Sequence, residues 1–112
     1  MNNKKNWWFE NQYSRSTITI DDKKITIYHK GLTTFSLKKQ TKNIIMINNI
    51  NYLVLRKPTF WQCGYLYFVL KNEIEKTNNQ EILLSNLCIA FKRKNEFKEA
   101  EEIKSIIDNL II

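Results

Sequence analysis

The sequence predicts a mainly β domain closed by one C-terminal α-helix. Three observations carry that prediction: alternation of polar and β-branched residues over 15–28, runs dense in aromatic and branched side chains at 44–55 and 61–71, and a change to three- and four-residue apolar spacing after Asn95. With 112 residues, two glycines and one proline, the chain has room for a single core, and its composition excludes collagen-like, linker-like and disordered chains.

The elements follow in order. Residues 1–14 form an aromatic and basic arm, with Lys4 and Lys5 ahead of Trp7, Trp8 and Phe9, and residues 15–112 form the domain. R-S-T-I-T-I at 15–20 and K-K-I-T-I-Y at 23–28 read as a hairpin turned by Asp21-Asp22, two residues tolerant of turn geometry. Its isoleucines, Ile18, Ile20, Ile25 and Ile27, share one face and belong to the core, while Thr17, Thr19, Lys24, Thr26 and Tyr28 share the other. A third strand is predicted over Leu32 to Leu37 after His29-Lys30-Gly31. Ile44 to Ile47 and Ile50 to Leu55 read as two strands, or one strand with a bend, stopped at Arg56-Lys57-Pro58 because proline cannot donate to a ladder. Trp61 to Lys71 reads as the strongest strand, and Gly64 within it marks a bulge or a tight backbone approach. Lys71 to Glu81 is a polar loop with Asn78-Asn79 at its tip, and Ile82 to Phe91 is a last strand or two short ones. From Asn95, a plausible N-cap, Phe97, Ala100, Ile103, Ile106, Ile107, Leu110 and Ile111 fall on one helical face, with acidic residues early. About seven antiparallel strands capped by one amphipathic helix result.

Charge narrows the partners. The net charge is +7, and residues 1–45 hold nine basic residues against three acidic ones, whereas the remainder is nearly balanced at nine against eight. A positive first third can meet an anionic protein face, a phospholipid surface or nucleic acid. No apolar run reaches the roughly 18 residues a membrane span needs, and no export signal is evident. Cys63 and Cys88 lack the spacing of a zinc site or a disulfide framework and read as structural thiols in a reducing, cytoplasmic setting.

The sequence offers no catalytic constellation, so no enzyme, cofactor or metal is expected. His29 is the single histidine, the glycines supply no phosphate loop, and Glu73/Glu75 and Glu101/Glu102 stand in a polar loop and on a solvated helix face. Trp7, Trp8 and Phe9 either pack across a sheet edge or stand as an exposed anchor, and Trp61 beyond Pro58 has the same two readings. The low arginine content and the acidic start of the helix argue against direct nucleic-acid binding.

The run from Ile18 to Ile107 resembles a known architecture. I-T-I-x-x-K-K-I-T-I, the strand ending in Lys57-Pro58, G-Y-L-Y-F at 64–68, and Phe97 opening a helix that continues E-E-I-K-S-I-I are similar to the bacterial PH-like domains of unknown function that often precede a SHOCT-type helical segment. The resemblance implies a PH-like bent sandwich or partly open barrel capped by the helix. The chain departs from it by carrying the aromatic arm and by reading as a stand-alone domain without the SHOCT-type segment. A lipid-binding PH domain would place several basic residues on the first hairpin. Lys23 and Lys24 stand there, but Asp21-Asp22 would meet a headgroup with like charge.

The expected function is binding by occupancy, protein against protein, as an adaptor or small inhibitor. The size and AT-biased composition suit a phage or mobile-element inhibitor aimed at a bacterial defence nuclease. The candidate contact residues are Trp7, Trp8, Phe9, Lys23, Lys24, Lys30, Lys38, Lys39 and Trp61. The alternative is peripheral binding to anionic membrane lipids through the basic N-terminal face. Sheet edges leave both a monomer and a homodimer open.

Overall fold

Alternation along the threonine- and isoleucine-rich segments builds the first sheet. The computed structural model describes residues 5–10, 15–29 and 41–111. Four strands, β1 (Lys5–Glu10), β2 (Arg15–Ile20), β3 (Lys24–His29) and β4 (Thr41–Met46), pair antiparallel in that order. The register sets Trp7 opposite Ile18, Ile18 opposite Ile27 and Ile20 opposite Ile25, so every buried isoleucine of the hairpin reaches the same face. The turn lies one residue later than the sequence indicates. The Asp21 carboxylate accepts from the backbone N–H groups of Lys23 and Lys24, both at 2.8 Å, and the Asp21 N–H donates to the Lys24 carbonyl at 3.0 Å, leaving Asp22 and Lys23 at the tip.

The expected arm is also a strand. Residues 5–10 pair with β2 along their whole length, burying Trp7 and Phe9. The strand expected over Leu32 to Leu37 lies outside the described residues.

A 3-10 turn over Ile47–Asn49 separates β4 from β5 (Ile50–Arg56), which begins a second antiparallel sheet with β6 (Gly64–Leu70) and β7 (Cys88–Phe91) in the order β5-β6-β7. The apolar residues of 44–55 therefore form two strands in two different sheets. Strand β6 is buried on both faces: Leu66 and Phe68 enter the main core, and Tyr65, Tyr67 and Val69 pack with Ile82 and Cys88 behind it.

Ile82 itself belongs to a short helix, α1 (Asn79–Leu84), where a strand was expected. The Asn78 side chain accepts from the N–H groups of Gln80 at 2.8 Å and Glu81 at 3.2 Å, which starts a helical turn inside a polar stretch with little periodicity to announce it. The last helix, α2 (Lys94–Leu110), follows the predicted face, with Ala100, Ile103 and Ile107 fully buried. Its N-cap is Arg93, not Asn95. The buried Glu96 carboxylate reaches back to the N–H groups of Lys92 at 3.2 Å and Arg93 at 3.1 Å.

One core joins these layers. Both sheets and α2 contribute to it, giving a mainly β, two-sheet sandwich capped by the C-terminal helix.

Candidate binding surface

Arg56-Lys57-Pro58 ends β5 and forces a connection to β6, and the chemistry of that connection decides what the molecule displays. The Thr59 N–H donates to the Gln62 carbonyl at 2.9 Å, and the Gln62 N–H donates to the Thr59 hydroxyl at 3.0 Å, closing a tight turn with Phe60 and Trp61 at its two central positions. These rings are 84% and 85% exposed. They lie 4.8 Å apart between centroids and nearly perpendicular, at 82°, the edge-to-face arrangement favoured by aromatic quadrupoles.

The turn is fastened from below. The Lys92 ammonium donates to the carbonyls of Thr59 at 2.9 Å and Phe60 at 3.2 Å. The Arg56 guanidinium donates to the Cys63 carbonyl at 2.6 Å and lies 4.5 Å over the Tyr65 ring. Gly64 lets the chain return, because a Cβ there would come within 2.7 Å of the Arg56 carbonyl, the Phe91 ring and the Pro58 nitrogen. This is the tight approach the sequence indicated at Gly64. Next to Gly64, Phe91 stands 6.1 Å from Phe9 and 6.2 Å from Phe97, an aromatic chain that links β1, β7 and α2.

Positive charge lies along the chain on both sides of the pair. Arg56 and Lys57 stand at the end of β5, just before the turn, and Lys92, whose ammonium reaches the Phe60 carbonyl, is followed by Arg93 and by Lys94 at the start of α2. Lys57, Arg93 and Lys94 are exposed. Among the described residues, no carboxylate forms an ion pair with any of these five cations. Glu96, the nearest acid in sequence, is buried and occupied by backbone donors. Burial pushes the Cys63 thiol above its ordinary value against the pull of Lys92 and Arg56, so the thiol stays neutral beside this surface.

The predicted contact residues separate. Trp61 is at the tip, and its partner Phe60 is a residue the sequence reading missed. Trp7 is 7% exposed and Phe9 fully buried, so both are core residues and not anchors, although the Trp7 edge lines a cavity of about 220 Å³ with Lys5, Ile20, Asp22, Ile106 and Leu110. Of the three arm aromatics, Trp8 is displayed, 66% exposed on the outer face of the first sheet in the row of Thr17, Tyr28 and Lys42. Lys23 and Lys24 are exposed at the β2–β3 turn. Lys30, Lys38 and Lys39 lie outside the described residues.

The basic collar was hidden in the averaged charge of the second part of the chain. Its two halves are remote in sequence, yet Arg56 pairs with Tyr65 and Tyr65 with Ala90, so antiparallel pairing carries the end of β5 to the end of β7. Lys-Arg runs just past two strand ends were the available signal. His29, by contrast, is structural: it is buried, and its Nε2 donates to the Asn86 carbonyl at 2.9 Å, which leaves Nδ1 to accept from the Ser16 hydroxyl at 2.7 Å. Among the described residues, no three His, Cys, Asp or Glu side chains group as metal ligands, and no helix is long and apolar enough to cross a membrane.

The chain is thus a two-sheet, helix-capped β domain that displays an exposed aromatic turn. Comparison with family models, curated proteins and solved structures finds no match to this chain.

Proposed function

We propose that this protein is a non-catalytic, PH-like binding module that acts by contact with another protein, as an adaptor or as an inhibitor that blocks a site. One observation carries the reading: two adjacent large aromatics stand almost wholly exposed on a turn fixed by five hydrogen bonds to backbone groups. Exposing Phe and Trp side by side gives up burial worth roughly 1.5–3 kcal/mol apiece, which a chain recovers when a partner covers them. The succession of four strands, three strands and a helix supports the PH-like reading.

The test is affinity capture from a lysate of the source organism, with the intact protein beside a Phe60→Ala/Trp61→Ala variant of matched thermal stability. A protein retained in stoichiometric amount by the first and lost from the second supports the reading. Retention of lipid alone supports the second reading, entry of this tip into an anionic bilayer interface, which the collar of Lys57, Arg93 and Lys94 favours. Equal retention by both proteins removes the tip from the function.

A further inference from the structure

The exposed pair and the cations around it belong to one surface, and together they specify the chemistry of what it meets. We infer that the partner is an acidic protein segment whose apolar side chains receive Phe60 and Trp61 while its carboxylates meet Lys57, Arg93 and Lys94. This rests on the protein-contact reading proposed above.

The five cations divide by the work they already do. Lys92 and Arg56 spend donors on loop carbonyls and hold the turn in shape, whereas Lys57, Arg93 and Lys94 are exposed. No carboxylate of the described residues forms an ion pair with them, and the nearby Glu96 is buried and held by backbone donors, so positive charge predominates beside an apolar centre. An apolar anchor ringed by charge is the anatomy of a protein interface, in which the centre supplies affinity and the rim supplies approach rate and selectivity.

Two other anionic occupants fit less well. A single-stranded nucleic acid stacks successive bases on ring faces that run in step along the strand, and two neighbouring rings set at 82° do not offer such a parallel platform. A bilayer interface is fluid and gains little from a turn held in one shape. A shaped protein surface does gain, because the backbone that carries both anchors is already fixed before binding.

The probe is a displayed library of random linear and cysteine-cyclised peptides spanning both signs of net charge, selected on the intact protein. Vesicles of phosphatidylcholine with and without phosphatidylserine, and poly-dT, run in parallel. Three variants with thermal unfolding matched to the parent follow: Phe60→Ala/Trp61→Ala, Lys57→Glu/Arg93→Glu, and Lys71→Glu/Lys76→Glu as a control in the segment after β6.

The expected result is enrichment of peptides combining Asp or Glu with apolar residues. Their affinity falls about 30-fold or more in the aromatic variant and about tenfold in the collar variant, weakens with salt, and is unchanged in the control. Peptides that depend on Phe60 and Trp61 but show no acidic enrichment overturn this inference and leave the protein-contact reading standing. Peptides indifferent to the aromatic variant, or none at all with serine-lipid vesicles or poly-dT bound instead, overturn both.

Discussion

At Gly64 a single hydrogen atom decides whether the display turn can form. Three neighbours stand within 2.7 Å of where a Cβ would be, two of them backbone atoms that a rotamer change cannot move. Gly64→Ala is therefore expected to destabilise the fold by about 1–3 kcal/mol, read from urea unfolding, and to disturb the Phe60–Trp61 turn. An unchanged midpoint would mean that the β5–β6 connection gives way freely. His29 is the other residue whose role follows from its partners. It ties β3 to the loop before β7 through the Asn86 carbonyl, so His29→Leu should cost about 1–3 kcal/mol in the same measurement while leaving binding by the aromatic turn intact. Loss of binding without loss of stability would contradict a structural role.

At the scale of elements, the ends matter more than the middles. Helix α2 has a regular apolar face, but its first turn is held by the Glu96 carboxylate accepting from two backbone N–H groups. Glu96→Ala should cost about 1–2 kcal/mol in thermal or urea unfolding, and Glu96→Gln less, because the amide oxygen keeps an acceptor in place. Equal losses in the two variants would show that the charge and not the acceptor is what the cap needs. Lys92 and Arg93, whose N–H groups Glu96 holds, also belong to the collar, so the cap and the binding surface share a turn. Helix α1 begins by the opposite arrangement, with the Asn78 side chain reaching forward to the N–H groups of Gln80 and Glu81, and it was invisible to periodicity because six residues are too few to establish a period.

At the scale of the molecule, α2 is a wall of the core and not an attachment. Ile103 and Ile107 are fully buried in the core to which both sheets contribute, with Phe97 and Ile106 partly so, and each buried side chain of this size is worth roughly 1.5–3 kcal/mol against the ~5–15 kcal/mol of a whole domain. A chain ended after Lys92 is expected to lose cooperative unfolding and to bind an apolar dye, followed by circular dichroism and fluorescence. A cooperative transition in that truncated chain would show that the strands close a core without α2.

What the sequence determined by itself is the part governed by local period. Ile18, Ile20, Ile25 and Ile27 alternate and are buried; Ala100, Ile103 and Ile107 recur at helical spacing and are buried; Gly64 marks a close approach between segments. The tertiary structure decided the rest, because exposure is a property of what lies opposite. Trp7 and Phe9 read the same as Trp61 in a list of residues. Pairing with β2 turns the first two inward, while the closed turn Thr59–Gln62 turns the third outward beside Phe60. The collar has the same origin. Arg56 and Lys92 are distant along the chain, and only the antiparallel ladder through β6 brings their charges to one place.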